Sequence, residues 1–208
     1  MRYEIRQRGE SRSFPSGDAF LSGGTTGAEV VVHLGTDLVA DPTRAAVLVE
    51  LGTGSLGTHT GESVGEEGGN VVGFARYRNG TDAPSKLVEL VRQPRTADSA
   101  LAAARQVFEA AGLIVVVSAD QPGRIIDRLV RPKYNAALRF LDEGLATQAD
   151  MDLTCRLGLG YADGPVERVV RGGLAHHHDV TKALFDTFGA AGYAPARRAV
   201  VAKTREGR

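Results

Sequence analysis

Five short apolar runs, each bounded by turn residues, fill residues 29–118, and after residue 120 the apolar spacing becomes helical. The runs are EVVVHL (29–34), AVLVEL (46–51), NVVGFARY (70–77), KLVELV (86–91) and LIVVVS (113–118). Runs this short and this rich in β-branched residues read as buried strands. Between the last two, residues 97–111 carry Leu101, Ala104, Val107, Phe108 and Ala111 at helical spacing, with Asp98 as the expected cap. A helix between strands implies an α/β layer. Residues 1–27 are polar and rich in Gly and Ser, with little hydrophobic pattern and one short strand expected at 3–6.

Beyond Asp120, the residues Ile125, Ile126, Leu129, Val130, Ala137, Leu138 and Leu141 form one helical stripe over 124–143. Pro132 is expected to bend that helix, because proline has no amide to donate. Thr147 caps a second helix that ends at the glycines after Leu157, and Gly164–Pro165 restarts helix at a first turn, where proline is tolerated. Residues 179–188 and 196–203 supply the last helices. The expected fold class is α/β then all-α, with domains at 1–118 and 119–208.

At 208 residues the chain can bury a real core. Lys plus Arg and Asp plus Glu are 25 each, and zero net charge leaves no electrostatic footprint for nucleic acid or an anionic membrane. A small molecule or a protein is the expected partner. One cysteine, Cys155, cannot form an intrachain disulfide; it sits mid-helix and is read as buried. No apolar run reaches the roughly 18 residues of a spanning helix, and MRYEIRQRGE lacks the apolar core of a signal peptide. A reducing, cytoplasmic compartment is the expectation. His176, His177 and His178 point about 100° apart on a helix, so they cannot close on one metal ion and read as a solvated or partner-facing run. No metal site is expected.

GTGSLG (52–57) satisfies G-x-G-x-x-G after a strand, which makes Gly52, Gly54 and Gly57 candidate cofactor-binding residues. A dinucleotide loop also opens a helix that holds the pyrophosphate and leads to a strand ending in an acid. Here THTGESVGEEGG follows, a poor helix former, and the next strand ends in Arg76 and Arg78. A tight glycine turn is the favoured reading.

Two strings carry a family resemblance: PGRIIDRLVRP (122–132) and RLGLGYADGPVE (156–167). They resemble the signatures PGF(I/V)xNR(L/I)..P and R.G.G.P.GPFE of the 3-hydroxyacyl-CoA dehydrogenases. The resemblance extends over about residues 28–205 and is strongest from 71 to 167. It implies a Rossmann-like sheet followed by a helical domain that mediates dimerisation, with NAD as cofactor and 3-hydroxyacyl-CoA as substrate. A complete member carries a first βαβ unit with its phosphate loop ahead of the strand that EVVVHL resembles; here 28 residues precede it. The expectation is a partial Rossmann-like sheet without the NAD pyrophosphate site.

The resemblance also assigns site positions. The family's turn SNTSSL aligns with LGTGSL, which puts its active-site serine at Gly54. The family's spacing then puts the catalytic histidine at Ala75. KLVELV matches the family's KLVEVV and retains Glu89, the carboxylate that orients that histidine. The family's asparagine is Asp127. Oxidising a 3-hydroxyl needs a base to take its proton while hydride leaves, work that imidazole suits and alanine cannot do. Loss of a general base lowers a rate by roughly 10²–10⁴. Three readings stay open: a degenerate homologue that keeps an acyl-CoA groove, a working dehydrogenase drawing on Glu89, Asp127 and His59, and a dimerising scaffold. Arg92, Arg95, Arg197, Arg198, Lys203 and Arg205 are candidates for CoA phosphates, or else a solvated face.

Overall fold

The computed structural model describes residues 1–61 and 69–207; Gly65 and Gly68 of the stretch after GTGSLG lie outside them. Two compact units form, one from Met1–Arg78 and Pro84–Arg124, the other from Asn79–Ala83 and Ile125–Arg208. The division falls later than 118/119 because Asp120 and Arg124 bond back to the first unit.

The first unit is built on six strands: β1 (Tyr3–Gln7), β2 (Val30–Leu34), β3 (Ala46–Glu50), β4 (Val71–Arg76), β5 (Leu87–Arg92) and β6 (Ile114–Ala119). Their order across the sheet is their order in the chain. β1 to β4 are parallel, β5 runs antiparallel to β4, and β6 is parallel to β5. Successive side chains point to opposite faces. Val30, Val32, Leu34, Leu48, Phe74 and Leu90 pack in the cluster that holds Val107 and Phe108 of helix α3 (Asp98–Ala110). Val47, Val49, Val71 and Val91 join Leu51 and Leu56 in a second cluster. Each such side chain, once buried, stabilises by about 1.5–3 kcal/mol.

Three expectations need correction in this unit. Residues 1–27 are not featureless: β1 is longer than expected, and Phe14 and Phe20 are buried in the main core. Phe14 stacks on Phe20 at 4.1 Å, and Phe20 stacks on Tyr3 at 4.4 Å. The N-cap of α3 is Ala97, whose amide donates to the Gly69 carbonyl, while Asp98 is the first helical residue and pairs with Arg92. The GTGSLG turn is also followed by one helical turn, α2 (Gly57–Thr60); a further short helix, α1, spans Ala19–Ser22.

In the second unit, α4 (Ile126–Asp142) is continuous through Pro132. Proline leaves the carbonyl four residues earlier without its helical donor, and here the Tyr193 hydroxyl donates to that Arg128 carbonyl at 3.4 Å. α5 (Gln148–Leu159) starts on the Thr147 cap and ends at Gly160, which is left-handed at φ 70°. α6 (Pro165–Arg171) takes its cap from afar: Asp152 accepts from the Val166 and Glu167 amides at 2.9 and 3.0 Å. α7 (Leu174–Phe188) begins earlier than expected, and α8 (Arg197–Glu206) closes the unit. Among the described residues no helix is long and apolar enough to cross a membrane.

Candidate functional site

The antiparallel pairing of β4 with β5 sets Ala75 directly opposite Glu89. Glu89 is 3% exposed. A carboxylate so placed needs a partner, since an unpaired buried charge is strongly unfavourable. One partner is Arg124, whose Nε lies 3.6 Å from Glu89 Oε2. The same guanidinium donates to the Gly54 carbonyl at 3.1 Å and to the Gly52 carbonyl, while the Gly123 amide donates to the Thr53 carbonyl at 2.9 Å. Arg124 is the one non-glycine residue with positive φ among those described, at 45°, a conformation that disfavours an L-residue by roughly 1–2 kcal/mol.

Positions 54 and 89 are therefore joined by a guanidinium, and position 75 lies opposite 89 across the strand pair. Gly54 supplies a carbonyl where the resemblance places a hydroxyl, and Ala75 supplies a methyl where it places an imidazole. A guanidinium offers donors only and keeps its proton, so it cannot serve as the base. Arg124 escaped the reading of the sequence, yet the signal was present: the signature PGF writes phenylalanine where this chain has Arg124. His59 lies in α2, half-buried.

The amides that open α2 are already engaged. Leu56 N and Gly57 N donate to the two oxygens of Asp120 at 2.6 and 2.7 Å, and Gln93 Nε2 adds a third bond at 3.3 Å. A dinucleotide phosphate would seek those same donors at a helix start. The carbonyls of Gly52 and Gly54 face Arg124, and the Gly54 amide donates to Leu51 O. The loop does not fit a pyrophosphate, so Gly52, Gly54 and Gly57 are residues of a closed turn.

Asp127, in the second unit, pairs with Arg131 one turn along α4 at 2.8 Å. Arg131, 5% exposed, continues to His177 Nδ1 at 3.3 Å. His177 Nε2 lies 3.0 Å from Asn135 Oδ1, which also accepts from Ala196 N, while Asn135 Nδ2 donates to Thr181 and to Gly192 O. Because arginine only donates, Nδ1 must accept and the proton of the neutral ring sits on Nε2. Burial, then the Arg131 charge, pushes the His177 pKa down to about 3. This corrects the solvated-run reading: His177 is 1% exposed, with His176 and His178 half-buried. Cys155 is likewise half-exposed and not buried.

The basic candidates belong to a solvated face. Arg92 pairs with Asp98, Arg197 and Arg198 share Asp142, and Lys203 pairs with Asp179 and Glu206; Arg95 and Arg205 are exposed. Among the described residues no three of His, Cys, Asp and Glu converge as metal ligands.

Comparison with known proteins bears on the helical unit most directly. Residues 123–208 match the family described as 3-hydroxyacyl-CoA dehydrogenase, C-terminal domain. The helical unit is similar to the C-terminal domain of the 3-hydroxyacyl-CoA dehydrogenases. The mitochondrial hydroxyacyl-coenzyme A dehydrogenase of Sus scrofa is 36% identical over 101 residues, covering 49% of this chain and 31% of that protein. The L-carnitine dehydrogenase of Pseudomonas aeruginosa is 39% identical over 75 residues, 36% of this chain and 23% of that protein. The chain thus spans about a third or less of the curated relatives it matches. Among solved structures, M. tuberculosis FadB2 superposes with TM-score 0.72 at 21% identity, and (S)-3-hydroxybutyryl-CoA dehydrogenase of Ralstonia eutropha with 0.73 at 20%. Each covers 86% of this chain and 66% of its own. The shared fold is a Rossmann-like, mostly parallel sheet followed by a helical region.

Proposed function

We propose that the chain is a 3-hydroxyacyl-CoA dehydrogenase homologue of acyl-CoA metabolism in which hydride transfer is lost and acyl-CoA recognition remains. One observation carries the reading: the Glu89 carboxylate, opposite Ala75, is held by the Arg124 guanidinium. A carboxylate engaged in this way has no imidazole to orient, and as the cluster's one proton acceptor among side chains it is held by a cation that favours its ionised form. The closed GTGSLG turn, with Asp120 on the α2 amides, argues in the same direction against NAD at that loop. The pairing of Asp127 with Arg131 narrows any acyl-CoA role to groups other than these two carboxylates. A single, half-exposed Cys155 fits a reducing, cytoplasmic compartment.

The test is direct. Purified protein is incubated with acetoacetyl-CoA and NADH while the reduced cofactor's absorbance is followed. No turnover above background is expected; turnover that disappears in Glu89→Gln would overturn the proposal. Calorimetric titration with acyl-CoA esters should give saturable heat without NADH. Absence of heat with every ester would leave the scaffold reading, which the exposed Leu153 and Leu157, one turn apart on α5, favour. Sedimentation at several concentrations would then show self-association.

A further inference from the structure

The helical unit holds a cavity of about 350 Å³ whose walls include Ala137 and Phe140 of α4, Leu145, and Met151 and Leu159 of α5. Its size lies within the range of small-molecule sites. No Asp or Glu lines it. Its one charged lining residue is Lys133, half-buried, with its ammonium 4.3 Å from the centre of the Tyr161 ring. Among the described residues Lys133 has no carboxylate partner, in contrast to Arg197, Arg198, Lys182 and Lys203 of the same unit. A second cavity of about 350 Å³ shares Lys133, Tyr161 and Pro165 with the first and adds Arg168 and Asp163. Lys133 therefore stands where an apolar compartment meets a polar one.

An ammonium without a counter-ion at the head of an apolar cavity selects for an anion attached to a hydrocarbon. The geometry points to a binding site for a medium-chain fatty carboxylate, its chain among Phe140, Met151 and Leu159 and its carboxylate on Lys133. Burial and the Arg168 charge lower the Lys133 pKa, and a bound carboxylate would offset both. Ring contacts hold the lysine at the rim, so little side-chain freedom is lost on binding. Every group lies in the helical unit, so the inference goes beyond the dehydrogenase reading and stands if that reading fails.

Binding is tested on the full chain by calorimetry with hexanoate, octanoate and decanoate, each below its micelle concentration, and with decanol as the uncharged control. Affinity should rise about fourfold for each methylene until the cavity is filled, and decanoate should bind more tightly than decanol. In Lys133→Met the decanoate affinity should fall about tenfold or more, as for a lost charge-assisted bond, with decanol unchanged. Should that variant not fold, the unmodified protein still decides: Cys155 lines the cavity, so decanoate should slow its reaction with a thiol reagent. Absence of saturable binding, or equal affinity for decanol and decanoate, would overturn the inference. So would self-association that alone shields Cys155 while decanoate does not, since a second copy would then be the occupant.

Discussion

Arg124 is the residue whose removal should be felt most. Its side chain is 2% exposed and that of Glu89 5%, so Arg124→Met leaves a carboxylate buried without its cation. Breaking such a pair from one side typically destabilises by about 3–5 kcal/mol. The carbonyls of Gly52 and Gly54 lose a donor as well, and methionine gives no relief from the left-handed backbone. Against a total stability of about 5–15 kcal/mol this is a large fraction. Glu89→Met alone strands the guanidinium, although the two carbonyls still accept from it, and should cost less. The double variant removes both charges and should lie well above the sum of the single losses, with a coupling of about 2 kcal/mol or more. Urea unfolding monitored by circular dichroism measures all four proteins, the midpoint shifting at constant slope. The reasoning is refuted if Arg124→Met costs less than about 1 kcal/mol or if the single effects add within about 0.5 kcal/mol.

Other consequences can be checked singly. His177 stays neutral in the folded chain down to about pH 3 and titrates near 6.5 when unfolded. The folded value is depressed, so the unfolded chain binds the extra proton between these limits. Stability should fall as pH drops through that window, by about 2 kcal/mol at pH 5 relative to neutral pH; His177→Asn should flatten that slope in denaturant midpoints, and an unchanged slope would sink the assignment. Asp120→Ala frees the Leu56 and Gly57 amides, and the loss of charge-assisted bonds worth about 1.5–3 kcal/mol should appear as faster hydrogen exchange at those two amides, with α5 unaffected. Gly164→Ala would place a methyl 2.2 Å from the Asp152 side chain, displacing the cap of α6. A loss above about 2 kcal/mol is expected in thermal unfolding, and a loss below about 0.5 kcal/mol would show that α6 does not depend on that cap.

The strands were legible because β-branched runs between turn residues leave little else to be: 46–51 became Ala46–Glu50 and 86–91 became Leu87–Arg92. The signature strings likewise foretold the helical unit, including Thr147 as cap and Pro165 in a first turn. Phe14 and Phe20 were not legible, since isolated aromatics among glycines and serines carry no period; they are buried by stacking in three dimensions. His177 was misread because α7 was started too late. Begun at Leu174, the helix puts His177, Val180, Thr181 and Leu184 on one buried stripe. Arg124 was hidden for a different reason. None of the four catalytic positions falls on residue 124, so nothing about them pointed to the charge that pairs with Glu89.

The sheet's order bears on how the molecule is made. Each strand lies beside the strand that preceded it in the chain, so no strand has to be threaded between two already paired. As the chain is synthesised, every new strand meets its neighbour already waiting, and the loops to be closed stay local. β5 completes the pairing that sets Glu89 opposite Ala75, but the carboxylate meets its cation only once β6 and the turn after it have been added. The cation that Glu89 meets in the finished fold thus comes from the last residue of this unit to be made.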